Sequence, residues 1–222
     1  ALRKRRQQAV KELGLVQADT PMKTMNSTED WGELSAEQKR YHAKSMAVYA
    51  GMIDAMDFHI GRLINYLKEI GEYDNTVFIF TSDNGAEPSD PERISKAFPL
   101  TRSFLGYNAD YETLGEKYSY NFIGRNFASA ASSPFGHYKF HSGEGGLRVP
   151  LIISGPALRE GLEGQINHGK AYVKDLAPTI LSLAGTEHPG TEYQGKTIEP
   201  STGINLHPVI NGQVETVYDN KD

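Results

Sequence analysis

The chain has 222 residues, of which 38% are hydrophobic, and this is enough chain to bury a core of its own. It contains no cysteine, which excludes disulfide bonds, and its formal net charge of -5 argues against nucleic acid or an acidic membrane as a general partner. The longest apolar runs, around 77–80 and 149–153, have the length of strands, so no membrane-spanning segment is predicted.

The first part of the chain predicts two helices. Residues 1–14 have a helical pattern, and the basic run at 3–6 is interpreted as a solvated helix face. A longer amphipathic helix begins at Ser35 and ends at Gly71, because apolar residues recur at spacings of three and four. Ser35 and Gln38 have the spacing of a capping box, and one face of this helix should lie on a sheet.

A buried strand is predicted at 76–82, and Asp83, Asn84 and Gly85 follow it directly. Side chains just beyond the carboxyl end of a strand in an α/β sheet lie where ligands bind. Asp and Asn both offer oxygen atoms, which suit hard cations such as Ca²⁺ or Mg²⁺ better than zinc. Gly85 would let the backbone turn through dihedral angles closed to other residues, so that both side chains face one ion. The alternative is a strand that ends in an ordinary Asn-Gly turn.

The segment 85–144 is dense in Phe, Tyr, Asn and Ser and has only weak helical stretches. Segments this long without regular structure are usually functional or disordered, and the aromatic content argues against a disordered linker. We interpret the segment as an insert that lines the mouth of a pocket, with packed covering as the alternative.

The last part of the chain predicts a strand at 149–154 and a helix at 176–184. Asp175 is expected to cap this helix, and Pro178 fits its first turn. Because strands and helices alternate along the chain, we predict an α/β fold with a parallel or mixed sheet covered by helices.

Four sequence blocks occur in a recognisable order. They are the helix and strand at 49–85, Tyr138-Lys139 with EGGLRVP at 144–150, DLAPTILSLAG at 175–185, and the glycine-bounded segment 203–212. Together they resemble the sulfatase family of the alkaline-phosphatase superfamily, and most of all its bacterial arylsulfatases with a long insert. The resemblance implies an alkaline-phosphatase-like mixed sheet flanked by helices, with 1–222 as part of one catalytic α/β domain and 85–144 as an insert near its active site.

The resemblance also implies roles for particular residues. Asp83 and Asn84 match the family's calcium ligands, and Lys139 matches the lysine that binds the sulfate group and stabilises charge on it. His141 is a candidate substrate contact. A surface lysine is the alternative for Lys139, and a zinc pair is the alternative for His137 with His141. The glycines at 143–146 make the helix that such a pair requires improbable.

One family feature is missing from the chain. The family's formylglycine arises from Cys or Ser in a C/S-x-P-x-R motif that precedes the long helix, whereas the literal match at 89–93 follows the metal strand and has Glu92 in its fourth position. We interpret 89–93 as an acidic loop. The chain is therefore expected to be an internal piece, without the N-terminal part that carries the nucleophile and without a small C-terminal subdomain.

The predicted function is calcium-dependent hydrolysis of sulfate esters by the parent protein, with the isolated chain inactive. A phosphatase or phosphonate hydrolase of the same superfamily is one alternative, although these enzymes typically have Asp-His where this chain has Asp83-Asn84. A non-catalytic fragment is another. The resemblance suggests a periplasmic or secreted protein, and we expect the chain to self-associate through uncovered apolar faces. Whether the sulfate ester is aryl or carbohydrate stays open.

Overall fold

The computed structural model of the chain describes residues 2–90, 96–155 and 161–218. Its contacts form two compact units, the first made of residues up to Leu67 with Asn84–Pro150, the second of Lys68–Asp83 with residues from Leu151 onward. In chain order, the helices and strands are α1 (Leu2–Glu12), α2 (Ala36–Glu69), β1 (Phe78–Thr81), α3 (Phe98–Phe104), α4 (Gly124–Ala131), α5 (Glu144–Leu147), β2 (Leu151–Ser154), α6 (Leu176–Leu183), β3 (Glu192–Tyr193), β4 (Lys196–Thr197) and α7 (His207–Ile210). That both units belong to one catalytic domain stays a prediction.

The start of α1 packs against α4 and turns one basic side chain inward. The Arg3 guanidinium donates hydrogen bonds to the Ser129 hydroxyl and to the carbonyl oxygens of Lys23, at 2.9 Å, and Phe135, at 3.1 Å. Burial lowers the pKa of Arg3 from its usual value. The interpretation of the basic run as a solvated face is therefore wrong for Arg3, because its donors join α1 to α4 and to two neighbouring loops.

The long helix α2 is confirmed, and so is its capping box. The amide nitrogen of Gln38 donates to the Ser35 hydroxyl at 3.1 Å, and the amide of Ser35 donates to the Gln38 side-chain oxygen at 2.8 Å. Farther along, large apolar side chains such as Met52, Met56 and Leu63 are exposed. Within the described ranges, no helix combines the length and the apolar character needed to cross a membrane.

The core of the first unit is built around Tyr138. This side chain is 2% exposed and packs with Ile123 and Ala128, while Met46 and Tyr49 of α2 lie against the cluster. The Tyr138 hydroxyl donates to the Ser27 hydroxyl at 2.8 Å, so its polar end is satisfied. Part of the aromatic segment 85–144 is thus packed core, and its place at a pocket mouth stays a prediction.

The second unit contains an antiparallel pair of strands. Phe78 of β1 lies opposite Ser154 of β2, and Thr81 lies opposite Leu151. The predicted parallel or mixed sheet is not confirmed, because the sheets in the described part of the chain are this pair and the antiparallel pair β3-β4. The chain leaves β1 and re-enters β2 at the same end of the ladder, which fixes the antiparallel direction.

Asp175 joins α6 to the last part of the chain. Its side chain is fully buried and accepts hydrogen bonds from the amides of Tyr172, at 2.7 Å, and Ile204, at 2.8 Å, and from the Tyr218 hydroxyl at 2.7 Å. The expected capping of α6 by this side chain is wrong, since it makes no bond to the first turn of that helix. A buried carboxylate is instead satisfied by donors from three different segments.

Candidate active site

The segment after β1 presents Asp83 and Asn84, as the sequence predicts. Asp83 is exposed and Asn84 is half-buried. Asn84 begins the part of the first unit that also contains Lys139 and His141, whereas Asp83 ends a segment of the second unit. The geometry described below therefore concerns the segment from Asn84 onward.

Gly85 is required by a close approach of two backbones. Its φ is not positive, so the expected turn through dihedral angles closed to other residues is wrong. A Cβ atom at Gly85 would lie 1.9 Å from the carbonyl oxygen of Gly145 and 2.9 Å from Cα of Gly146. The amide of Gly85 donates to the Gly146 carbonyl at 2.8 Å. Glycine is needed here because only hydrogen leaves room for this contact.

The double glycine of the EGG motif permits further approaches of the same kind. A Cβ atom would lie 2.2 Å from the His137 carbonyl oxygen at Gly145, and 2.1 Å from the His141 carbonyl oxygen at Gly146. The glycines also do not prevent a helix, since Glu144–Leu147 form the single turn of α5. As expected, residues 137–141 do not form a helix. Glu144–Leu147 form one helical turn because buried backbone contacts there offset the low helix propensity of glycine.

Lys139 is held against the segment that follows Asn84. Its amide donates to the Ala86 carbonyl at 3.1 Å, and its Nζ lies 2.7 Å from Oε2 of Glu87. The Lys139 side chain is 32% exposed and that of Glu87 is 45% exposed, so the ion pair remains open to solvent and to an approaching anion. Main chain and side chain thus both fix the position of the ammonium group.

Glu87 is a residue of the site that no sequence motif predicted. Its Oε1 accepts a hydrogen bond from the Ser89 amide at 2.9 Å, while Oε2 faces Lys139. Partial burial raises the pKa of Glu87, but the hydrogen bonds from Lys139 and Ser89 and the Lys139 charge outweigh it and hold the pKa below its usual value. The only sequence signal was an acidic residue three positions after Asn84, which says nothing about a lysine far along the chain.

His137 and His141 lie on either side of Lys139 in sequence, and their rings stack. The ring centroids are 4.7 Å apart at an interplanar angle of 22°, and Nδ1 of His141 lies 3.3 Å from the Lys139 carbonyl oxygen. His137 and Phe140 have φ angles of 69° and 74°, in the left-handed region that non-glycine residues seldom adopt. Backbone strain of this kind is found more often near functional sites than elsewhere, and here it lies on both sides of Lys139.

No metal site is complete in the described ranges, where no group of three or more His, Asp or Glu side chains could hold an ion together. This leaves the zinc alternative for the two histidines without a third ligand. Asp83 and Asn84 offer carboxylate and amide oxygens, which fit part of a calcium site, but calcium takes 6 to 8 oxygen ligands. In the literal S-x-P-x-R match, Pro91, Glu92 and Arg93 lie outside the described residues.

Comparisons with known proteins agree on one family. A family model described as Sulfatase matches residues 15–186. An uncharacterized sulfatase of Schizosaccharomyces pombe is 41% identical over 203 residues, covering 89% of this chain and 35% of that protein. An arylsulfatase of Klebsiella aerogenes is 33% identical over 201 residues, covering 90% and 42%. The multifunctional alkaline phosphatase superfamily protein PehA of Trinickia caryophylli is 29% identical over 143 residues, covering 64% and 19%. The chain therefore spans less than half the length of each of these relatives.

Proposed function

This chain belongs to the sulfatase family, and from that premise we propose that the protein containing it hydrolyses sulfate esters in a calcium-dependent reaction. The observation that carries the proposal is the position of Lys139. Its ammonium group is fixed by main-chain and side-chain contacts beside the segment that begins at Asn84, yet it remains open to an approaching anion.

Lys139 is the proposed catalytic and substrate-binding residue of this chain. Its ammonium group is a compact positive charge that binds a sulfate oxygen and stabilises the negative charge that develops on the ester. His141 is a further proposed substrate contact, because its ring is exposed and lies next to the Lys139 backbone. Nothing in this role requires His137 and His141 to bind a metal.

Asp83 and Asn84 are the proposed calcium ligands. When bound, a calcium ion supplies positive charge that stabilises a sulfate oxygen, and it helps to orient the ester. Two ligands are too few for this ion, so we propose that further oxygen ligands complete the site in the full-length protein, as the family resemblance implies. The formylglycine nucleophile is expected there as well, and for both reasons we propose that the isolated chain is inactive.

Phosphate ester hydrolysis is a second candidate, favoured by the similarity to a multifunctional alkaline phosphatase superfamily protein. The pair Asp83-Asn84 argues for the sulfate ester. An amide oxygen suits a single hard cation, whereas an imidazole in the second position would suit a transition metal.

The test compares the full-length protein with this chain on p-nitrophenyl sulfate, each with calcium or with a chelator. We expect turnover only from the full-length protein with calcium. Lys139→Ala should lower kcat about 100-fold or more, as expected when a charge-stabilising group is removed. Asp83→Ala should lower the calcium affinity together with the activity.

Lys117→Ala is the matched control, because Lys117, like Lys139, lies over the aromatic ring of the next residue, but it is exposed on a different loop of the same unit. It should leave turnover unchanged. A full-length protein that cleaves p-nitrophenyl phosphate but not the sulfate would move the assignment to the phosphohydrolase alternative. Full activity after Lys139→Ala would remove this residue from the site.

A further inference from the structure

We propose that Glu87 sets the charge selectivity of the anion site, so that singly charged esters bind in preference to doubly charged ones. This inference rests on the proposed function, because it concerns the anion that approaches Lys139. The inference gives Glu87 a role in substrate specificity. The proposed metal ligands Asp83 and Asn84 lie close to Glu87 in the sequence but have a different role.

The Glu87 carboxylate is held from both sides. Oε1 accepts from the Ser89 amide at 2.9 Å, and Oε2 lies 2.7 Å from Nζ of Lys139. The backbone next to it is held as well, since the Ala86 carbonyl accepts from the Lys139 amide at 3.1 Å. The carboxylate therefore has a fixed position beside the ammonium group and is not a freely rotating surface charge.

Glu87 is ionised at neutral pH, because its hydrogen bonds and the Lys139 charge hold its pKa below the usual value. The positive charge of Lys139 is therefore balanced by the negative charge of Glu87, and the net charge of the pair is close to zero. An anion that reaches Lys139 gains its attraction but also meets the negative charge of Glu87 a few ångströms farther on.

That repulsion grows with the charge on the ligand. A sulfate ester carries one negative charge, whereas a phosphate monoester carries two once the pH exceeds its second pKa of about 6. Glu87 therefore weakens binding of the dianion more than that of the monoanion. For partly exposed groups near a protein surface, a difference of one unit charge corresponds to a change of about threefold to tenfold in relative affinity.

A purely structural ion pair would behave differently. If Glu87 only kept Lys139 in place, its removal would lower the binding affinity for both kinds of anion by the same factor. If Glu87 sets selectivity, neutralising it should instead strengthen the binding of the dianion relative to that of the monoanion. A selectivity role also predicts that added salt reduces this effect, since exposed charges are screened over about 10 Å at 0.1 M ionic strength.

The experiment uses two non-hydrolysable ligands of similar shape, benzenesulfonate with one charge and phenylphosphonate with two, at about pH 8. Each is measured as a competitive inhibitor of p-nitrophenyl sulfate hydrolysis by the full-length protein. In Glu87→Gln, the inhibition constant of phenylphosphonate should fall about threefold to tenfold relative to that of benzenesulfonate. Glu87→Asp keeps the charge and should keep the wild-type ratio.

Glu144→Gln is the matched control, because Glu144 is also an exposed, ion-paired carboxylate of the first unit but faces Arg148, at 3.3 Å. The ratio of the two inhibition constants in Glu144→Gln should equal that of the wild type. Thermal unfolding confirms that each variant folds. An equal change of both constants in Glu87→Gln, or the same shift in Glu144→Gln, overturns the inference. A wild-type protein without sulfatase activity overturns the proposed function and this inference with it. An active wild type with an unchanged ratio in Glu87→Gln overturns only the role of Glu87.

Discussion

Gly85 shows how a single residue supports the candidate site. Its hydrogen atom points at the Gly145 carbonyl oxygen, and the backbone contact at this point joins the end of the Asp-Asn motif to helix α5, which follows the loop that carries Lys139. Any side chain would push these two segments apart. The glycine is thus a packing requirement of the site and not a turn signal.

Gly85→Ala should destabilise the protein by about 1 to 3 kcal/mol, because the new methyl group would overlap a backbone oxygen that cannot rotate away. Urea unfolding followed by circular dichroism measures the change. Gly51→Ala is the control, since no atom lies within 4 Å of a Cβ built there and Gly51 lies inside helix α2. That variant should be as stable as the wild type or more stable by up to about 1 kcal/mol. Equal effects at the two positions would contradict the close approach.

The Lys139-Glu87 pair should make a pH-dependent contribution to stability. The pKa of Glu87 is lower in the folded protein than its usual value, so the contribution is present at neutral pH and is lost as the pH falls through that lowered pKa. The difference in unfolding free energy between wild type and Glu87→Gln should be below about 1 kcal/mol at neutral pH, since the pair is partly exposed, and should vanish in acid. The same difference measured in a Lys139→Met background should be smaller at neutral pH. A difference that grows on acidification would contradict the assignment.

Asp83 and Asn84 were named from their position after a strand and from a family resemblance, and Lys139 from the resemblance, and the roles of all three stay predictions. The sequence was not sufficient to find Glu87, whose partner lies 52 positions farther along the chain (139 minus 87). Long-range contacts of this kind depend on how the loops fold against each other. No local pattern around Glu87 encodes them.

At the level of elements, Arg3 shows that a charged side chain can hold two helices together. Its guanidinium supplies donors to the hydroxyl of Ser129, which is 1% exposed, and to two carbonyl groups. The helical pattern of 1–14 predicted α1 but could not show which of the four basic residues at 3–6 turns inward. That choice depends on the position of α4.

Arg3→Ala should destabilise the protein by about 1 to 3 kcal/mol, because it leaves the buried Ser129 hydroxyl and two carbonyl groups without these donors. Arg5→Ala is the matched control, since Arg5 lies on the same helix and is exposed. It should change the stability by less than about 0.5 kcal/mol. Thermal unfolding of the two variants at equal concentration separates them, and equal losses would show that Arg3 does not join α1 to α4.

The sequence located the helices α1, α2 and α6 and the strands β1 and β2, whereas the shorter elements and the pairing of the strands were not predicted. The capping box placed the start of α2 correctly, and apolar runs located β1 and β2. The antiparallel direction of the β1-β2 pair was not predicted, because alternation of strands and helices favours parallel sheets only when the helices cross over between neighbouring strands.

For the molecule as a whole, the exposed apolar surface of α2 is the main feature. Met52, Met56 and Leu63 lie at helical spacing and are 54%, 43% and 51% exposed. Exposed apolar residues that form a continuous stripe favour contact with another surface. Localisation outside the cytoplasm, in contrast, rests on resemblance alone and stays a prediction.

The isolated chain should self-associate through this stripe, because burying it removes apolar surface from water. Light scattering over a range of concentrations should show a mass that rises above 24.6 kDa. Met56→Glu should shift the equilibrium toward the monomer, whereas Asn65→Glu should have little effect, because Asn65 is exposed on the opposite side of the same helix. A monodisperse monomer at high concentration would refute the prediction.

The antiparallel register of β1 and β2 has a consequence for how the sequence can vary. Thr81 and Leu151 lie opposite each other, so the stretch 82–150 leaves the ladder and returns to it at the same end. The entropy of closing such a loop grows only with the logarithm of its length, and doubling the length adds about 0.6 kcal/mol. Insertions and deletions within that stretch should therefore change the stability of the β1-β2 ladder only a little. Changes to the strand residues that close the loop should affect it more.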